Sequence, residues 1–316
     1  MKKLIFLFLI VLPFVGCSDD EKKEDAPSNL IDVTSRMRIS SNNSPFSGYL
    51  EIMPCKSNSY VYYGNYLNEK QSPFYAAYLI NNGNILSSIR PLVLPIGAYD
   101  LVYWGFVIPE DTLHLQAAVS SPSYSIGSDM ANESWSLRPY KTGDTLYRPV
   151  YDLAHCAKEV EIGAEDIAVP LERAVAAIQV ILNAPSGGTL HTDIDTIFAY
   201  IGDIANEINF ITAEPTDFSK TIGFSLSMAA DRQSASSFIM KTFPSAPNPL
   251  FTLRVYLKNG EVKEYSQRLS NQLLANSKIS LTLEGNVIFS ETTSSSGFQI
   301  NNWQEENEQI DLPPLE

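Results

Sequence analysis

Phe251, Leu253, Val255 and Leu257 alternate with Thr252, Arg254, Tyr256 and Lys258, and Asn259-Gly260 follows at once. A period of two places successive side chains on opposite faces of an extended chain, so this stretch buries one face only as a strand. The Asn-Gly pair supplies the positive φ angles of a two-residue type I′ turn, and Glu261 to Arg268 returns as a more polar strand. The pattern predicts a half-exposed antiparallel hairpin.

The same signals recur along the chain. Phe74 to Ile80 is apolar and aromatic, Asn81-Asn82-Gly83-Asn84 is a turn, and Ile85 to Ile89 returns. Pro91 to Leu94, a Pro95–Gly97 turn, and Ala98 to Trp104 read as strand, turn, strand. Ile279, Leu281 and Leu283 alternate in another strand, Asn286 to Phe289 adds one more, and Phe298 to Trp303 is a last short one. Residues 108–148 are rich in Ser, Pro, Gly, Asn and Asp and read as loops with short strands. Leu171 to Leu182 is apolar at nearly every position, with Ala174, Ala176, Ile178, Val180 and Leu182 in one phase. It reads as one central strand buried on both faces, with a helix through Glu172 to Ala177 as the rival.

A chain of 316 residues is right for about two domains of ~100–150 residues. A division near residues 160–168 gives two comparable parts, 31–165 and 166–316. Sixteen Tyr and fifteen Phe favour strands. No fixed-period repeat is visible, which disfavours a propeller or solenoid. The balance of 22 basic and 36 acidic residues leaves no basic footprint for nucleic acid.

The N-terminus reads as an address. Lys2 and Lys3 precede an apolar run from Leu4 to Gly16, too short to span a bilayer, which ends at Cys17. Residues 1–16 read as a lipoprotein signal peptide and Cys17 as the lipidated first residue of the mature chain. The mature chain then carries 20 basic and 36 acidic side chains. Residues 17–30, with the acidic run from Asp19 to Asp25, form a solvated tether. An acidic run just after the lipid Cys resembles the export signal of surface-exposed lipoproteins in bacteroidete-type bacteria. Cys55 and Cys156 would then sit in an oxidising compartment, either paired in a disulfide or as separate buried thiols.

Chemical motifs are sparse. His191, Asp193 and Asp195 alternate and would share one face of a strand, where a metal is geometrically allowed and a plain polar surface is the commoner outcome. His114 and His155 have no nearby motif partners, and no nucleophile elbow, P-loop or dinucleotide fingerprint occurs. Trp104 lies inside an apolar strand and reads as core. Trp135, beside Asn132, Glu133 and Ser134, is the more exposed candidate for stacking on a sugar.

Two segments carry a family resemblance. Leu92-Val93-Leu94-Pro95-Ile96-Gly97-Ala98-Tyr99-Asp100-Leu101-Val102-Tyr103-Trp104-Gly105 resembles a strand pair in the first domain of fimbrillin-like lipoproteins. Val169 to Val180 resembles the strand that opens their second domain, and the Asn-Gly hairpin and Trp303 fit the same order. The resemblance implies an all-β chain of two transthyretin-like antiparallel β-sandwich domains in tandem. It implies a fimbrial subunit (anchor, shaft or tip) rather than an enzyme, with no cofactor. Its partners would be other fimbrial subunits, joined by β-strand addition, and the outer membrane, through the lipid. Shaft subunits of that family are cut after an Arg near the first strand, and Arg36 and Arg38 lie in that region. Two exposed Arg on an edge strand is the plain alternative. The rival reading is a surface glycan-binding lipoprotein of a polysaccharide-uptake system, with Trp135 at the sugar; a secreted hydrolase rests only on unassigned carboxylates.

Overall fold

The computed structural model describes residues 27, 29–34, 37–41, 44–106, 119–143, 145–163, 166–185, 188–285 and 300–309. Residues 1–16, expected as a signal peptide, Cys17, the acidic run Asp19–Asp25, Arg36, His114 and the strand expected at Asn286–Phe289 lie outside them. Among the described residues every regular element of any length is a strand, and the all-β expectation holds.

Two large sheets organise the chain. The first runs in the order Ser44–Pro45, Met37–Ser41, Ile167–Arg173, Leu153–Ile162, Gly97–Phe106, Gly48–Lys56, Ala76–Asn81, Asn84–Arg90. Leu50, Ile52, Leu101 and Tyr103 from its centre share a core with Met37, Ile39, Val169 and Leu171 from one end and Ile80 from the other. The sheet therefore curls so that its ends cover its middle. Leu30–Asp32 pairs with Val93–Pro95, and Val33 is buried in the same core.

The second sheet runs Val262–Arg268, Leu250–Leu257, Ile194–Ile204, Lys220–Met228, Ser234–Ser236, Ala176–Asn183, Ser277–Gly285, Ile300–Gln309. Leu146–Tyr147 and Met240–Thr242 attach to its side. A smaller sheet orders Val119–Ser120, Ser134–Leu137, Glu207–Asn209 and Pro215–Thr216, so strands from both halves of the chain pair directly. The second core is continuous with this junction: Met53, Cys55, Val102 and Trp104 belong to the same buried cluster as Ile178, Phe251 and Leu281.

Leu171–Leu182 is not one strand. Ile167, Val169, Leu171 and Arg173 point inward in the first sheet, whereas Ala176, Ile178, Val180 and Leu182 point inward in the second. The inward phase changes parity across Ala174 and Val175, which lie between the two strands. The changeover between sheets thus falls several residues beyond the 165/166 division.

The Asn82-Gly83 turn forms as expected, with φ of 49° and 74°. The Asn259-Gly260 turn differs. Only Gly260 has positive φ, at 88°. Its N–H donates to the Leu257 carbonyl at 2.9 Å, and the Leu257 N–H donates to the Glu261 carbonyl at 2.8 Å. This is a three-residue connection, a type I turn closed by a left-handed glycine, rather than type I′. It pairs Tyr256 with Val262 and keeps Phe251, Leu253, Val255 and Leu257 inward.

Cys55 and Cys156 are separate free thiols. Cys55 lies opposite Asp100 on one neighbour of the Gly97–Phe106 strand, and Cys156 lies opposite Tyr103 on the other. Two strand spacings of about 9–10 Å across and three residues, about 10 Å, along the strands separate them by about 14 Å, beyond the ~7 Å reach of a disulfide. The disulfide alternative is therefore corrected to separate thiols.

A candidate site in an aromatic cleft

The Gly97–Phe106 and Gly48–Lys56 strands pair with Trp104 opposite Glu51 and Phe106 opposite Tyr49. Directly opposed residues share a face. Here it is the face turned toward the junction of the two halves.

Trp104 is at the centre of that face, fully buried, and its Nε1 donates to the Phe210 carbonyl at 3.1 Å. Its ring centroid lies 5.5 Å from Trp135 and 4.7 Å from His155. Trp135, on the Ser134–Leu137 strand, also packs against Phe106 and Phe210, each at 5.7 Å. It is only 4% exposed, so both tryptophans are core, and the open sugar platform expected at Trp135 is absent. Its Nε1 is buried without a hydrogen-bond partner.

Toward Tyr49 and Phe106 the packing opens into a cleft of 650 Å³. Eight of its fifteen lining side chains are aromatic, with Glu51 the one acid and Arg138 the one base. Burial pushes the Glu51 carboxyl up to about 7, against a hydrogen bond from Tyr75 and the charge of Arg90. Burial likewise raises Tyr75, Tyr124 and Tyr151, each with the Glu51 charge contributing. Arg90 is held against Tyr75: its Nε donates to the Tyr75 carbonyl at 2.8 Å, and its guanidinium carbon sits 4.7 Å from the ring centroid.

On the other side of Trp104, a cleft of 580 Å³ is lined by His155, Cys156, Glu172 and Glu214 among others. Burial lowers His155 to about 4, against a backbone hydrogen bond at Ile211, and its Nε2 has no hydrogen-bond partner.

The other expected positions lie apart. Arg38 is exposed on the Met37–Ser41 strand, its Nη1 donating to the Met37 carbonyl at 3.2 Å. His191 and Asp193 sit in the turn before the Ile194–Ile204 strand, 3.6 Å apart and exposed, so they do not share a strand face with Asp195. Among the described residues no group of three or more His, Cys, Asp or Glu is placed to hold a metal. Sequence reading missed Glu51, Tyr75 and Arg90. The available signal was the row Tyr49, Glu51, Met53, Cys55, an acid at an inward position of an otherwise apolar strand face.

Comparison with known proteins agrees with this architecture. The profile of the fimbrillin-A associated anchor proteins Mfa1 and Mfa2 matches residues 26–309. The fold resembles the fimbrial anchor protein Mfa2 from Porphyromonas gingivalis at 10% identity and a TM-score of 0.51, over 87% of this chain and 99% of that one. A candidate polysaccharide-binding protein from Bacteroides thetaiotaomicron aligns at 12% identity and a TM-score of 0.53, over 87% and 96% of the two chains. A candidate adhesin from Bacteroides ovatus aligns at 12% identity and a TM-score of 0.52, over 85% and 94%. No curated protein sequence matches.

Proposed function

Because the chain belongs to the family of fimbrillin-A associated anchor proteins Mfa1 and Mfa2, which is structural rather than enzymatic, we propose that it is a lipid-anchored fimbrial subunit of the outer membrane. The observation that carries this reading is the family match across residues 26–309. Cys17 then carries the acyl chains, and several chains make the attachment stable. The anchor role leaves Arg36 and Arg38 uncut, because cleavage after either would part the folded chain from its lipid. Leu30–Asp32 stays paired with Val93–Pro95, and Val33 stays in the core.

The next subunit is joined by β-strand addition. Two outer edges can be compared. Val262–Arg268 is bordered by charge pairs, Lys263 with Glu261 and Arg254 with Glu264, which discourage edge pairing. Asn84–Arg90 carries no charge before Arg90 and exposes Leu86 and Ile89, at 64% and 56%. The Asn84–Arg90 edge is the better acceptor.

Cells are grown with an alkyne-tagged fatty acid, and fimbriae are counted on cells and in the medium. The wild-type chain takes up the label, Cys17→Ala does not, and the variant sheds fimbriae into the medium. An unlabelled mature chain, or fimbriae that stay on Cys17→Ala cells, would remove the anchor reading.

A further inference from the structure

The aromatic cleft is unused by strand addition or lipid attachment. We propose that it binds an organic ammonium group, seated against aromatic rings with the Glu51 carboxylate as its counter-charge. An ammonium is attracted to the negative faces of aromatic rings, most strongly where water is excluded. The cleft offers eight such side chains around a single acid. These rings already hold one cation, since the Arg90 guanidinium carbon lies 4.7 Å from the Tyr75 centroid and 5.7 Å from that of Phe74. Arg90 is tied to the Tyr75 carbonyl and Arg138 to the Ser120 hydroxyl; the Arg90 charge is felt at Glu51, but among the described residues neither arginine forms an ion pair with its carboxylate.

The electrostatics point the same way. Burial pushes the Glu51 carboxyl up to about 7 even with the Tyr75 hydrogen bond and the Arg90 charge opposing it, so a contact counter-charge is what it lacks. An entering cation supplies the missing counter-charge and drives the proton off. The groups facing Glu51 are Tyr49 on its own strand, Tyr75 and Arg90 at the adjacent edge, and Tyr124, Tyr151 and Arg138 on the covering segments. Burial holds the tyrosines protonated, so of these groups it is Glu51 that changes state between pH 5 and 8. A neutral sugar needs a fuller set of polar partners than Glu51, Arg138 and two serines beside the tyrosines. The inference does not depend on the anchor role.

The test is a titration of the mature chain with choline and, separately, n-butylammonium, read by tryptophan fluorescence and calorimetry. Saturable binding at pH 8 is expected, weakening about tenfold per pH unit below 7 as Glu51 takes its proton. Glu51→Gln loses at least about tenfold in affinity with an unchanged circular dichroism spectrum, and Tyr75→Ala also weakens binding. A preference for choline indicates a quaternary headgroup, and a preference for butylammonium indicates a lysine side chain. Three results would overturn the proposal: no saturation by either amine, equal affinity in Glu51→Gln, or saturation by methyl glucoside but neither amine. If Glu51→Gln fails to fold, the pH dependence of the wild-type chain decides alone.

Discussion

Glu51 and His155 flank Trp104 and pull stability in opposite directions with pH. Burial raises the Glu51 carboxyl to about 7 and lowers the His155 imidazole to about 4. Between its unfolded value of about 4.5 and 7, Glu51 holds a proton only in the folded state. Its contribution is full below 4.5 and is lost as pH rises through 7. Between about 4 and 6.5, His155 holds a proton only in the unfolded state, so its contribution is present above 6.5 and lost as pH falls through 4. Each shift is on the order of 3 kcal/mol, and over the shared window the two slopes cancel. Glu51→Gln is therefore expected to gain stability over wild type as pH rises from 4.5 to 7, measured as urea midpoints at several pH values. His155→Gln should gain as pH falls from 6.5 to 4. A pH-independent difference in both variants would contradict the assignment.

At the scale of elements, glycines separate two kinds of constraint. Gly260 has φ of 88°, and a Cβ there would meet nothing within 4 Å. Gly260→Ala should cost about 1 kcal/mol, from backbone conformation alone. A Cβ on Gly48 would meet the Phe106 carbonyl oxygen at 2.2 Å and Phe46 Cζ at 2.9 Å. Gly48→Ala should cost well over twice as much, because the central pairing with Phe106 must shift; chevron or urea data on the two variants rank them. The Leu250–Leu257 strand was legible because period-two alternation is a local property. The turn type was not, since Asn-Gly serves either connection and cross-strand register selects one. The break at Ala174 and Val175 was partly legible: the apolar phase moves from odd to even positions there, yet small apolar residues on both sides make it read as one run.

Across the whole molecule, the site was hidden because its parts are far apart in sequence. Trp135 stands among Asn132, Glu133 and Ser134, which suggests exposure, but Phe210 and Trp104 close over it. The same long-range logic holds the two sheets together. Arg173 ends the last strand of the first sheet and is 3% exposed. Its Nε and Nη2 donate to the two Asp152 oxygens at 2.7 and 3.0 Å, and its Nη1 donates to Asn276 beside the second sheet at 3.3 Å. Lys241, on a side strand of the second sheet, lies 3.6 Å from Asp152. Removing one partner of a buried pair strands the other and costs about 3–5 kcal/mol, while a well-packed apolar replacement of both is far milder. Arg173→Ala, which leaves Asp152 only the longer contact to Lys241, should therefore lower the melting temperature, and Asp152→Leu with Arg173→Met and Lys241→Met should recover much of the loss. The buried cluster that contains Trp104 also contains Ile178 and Phe251, so wild type should melt in one calorimetric transition. Arg173→Ala leaves that shared core intact and should keep a single, earlier transition. Two separated transitions in wild type would mean that the halves fold independently and that the ion pair joins them only weakly.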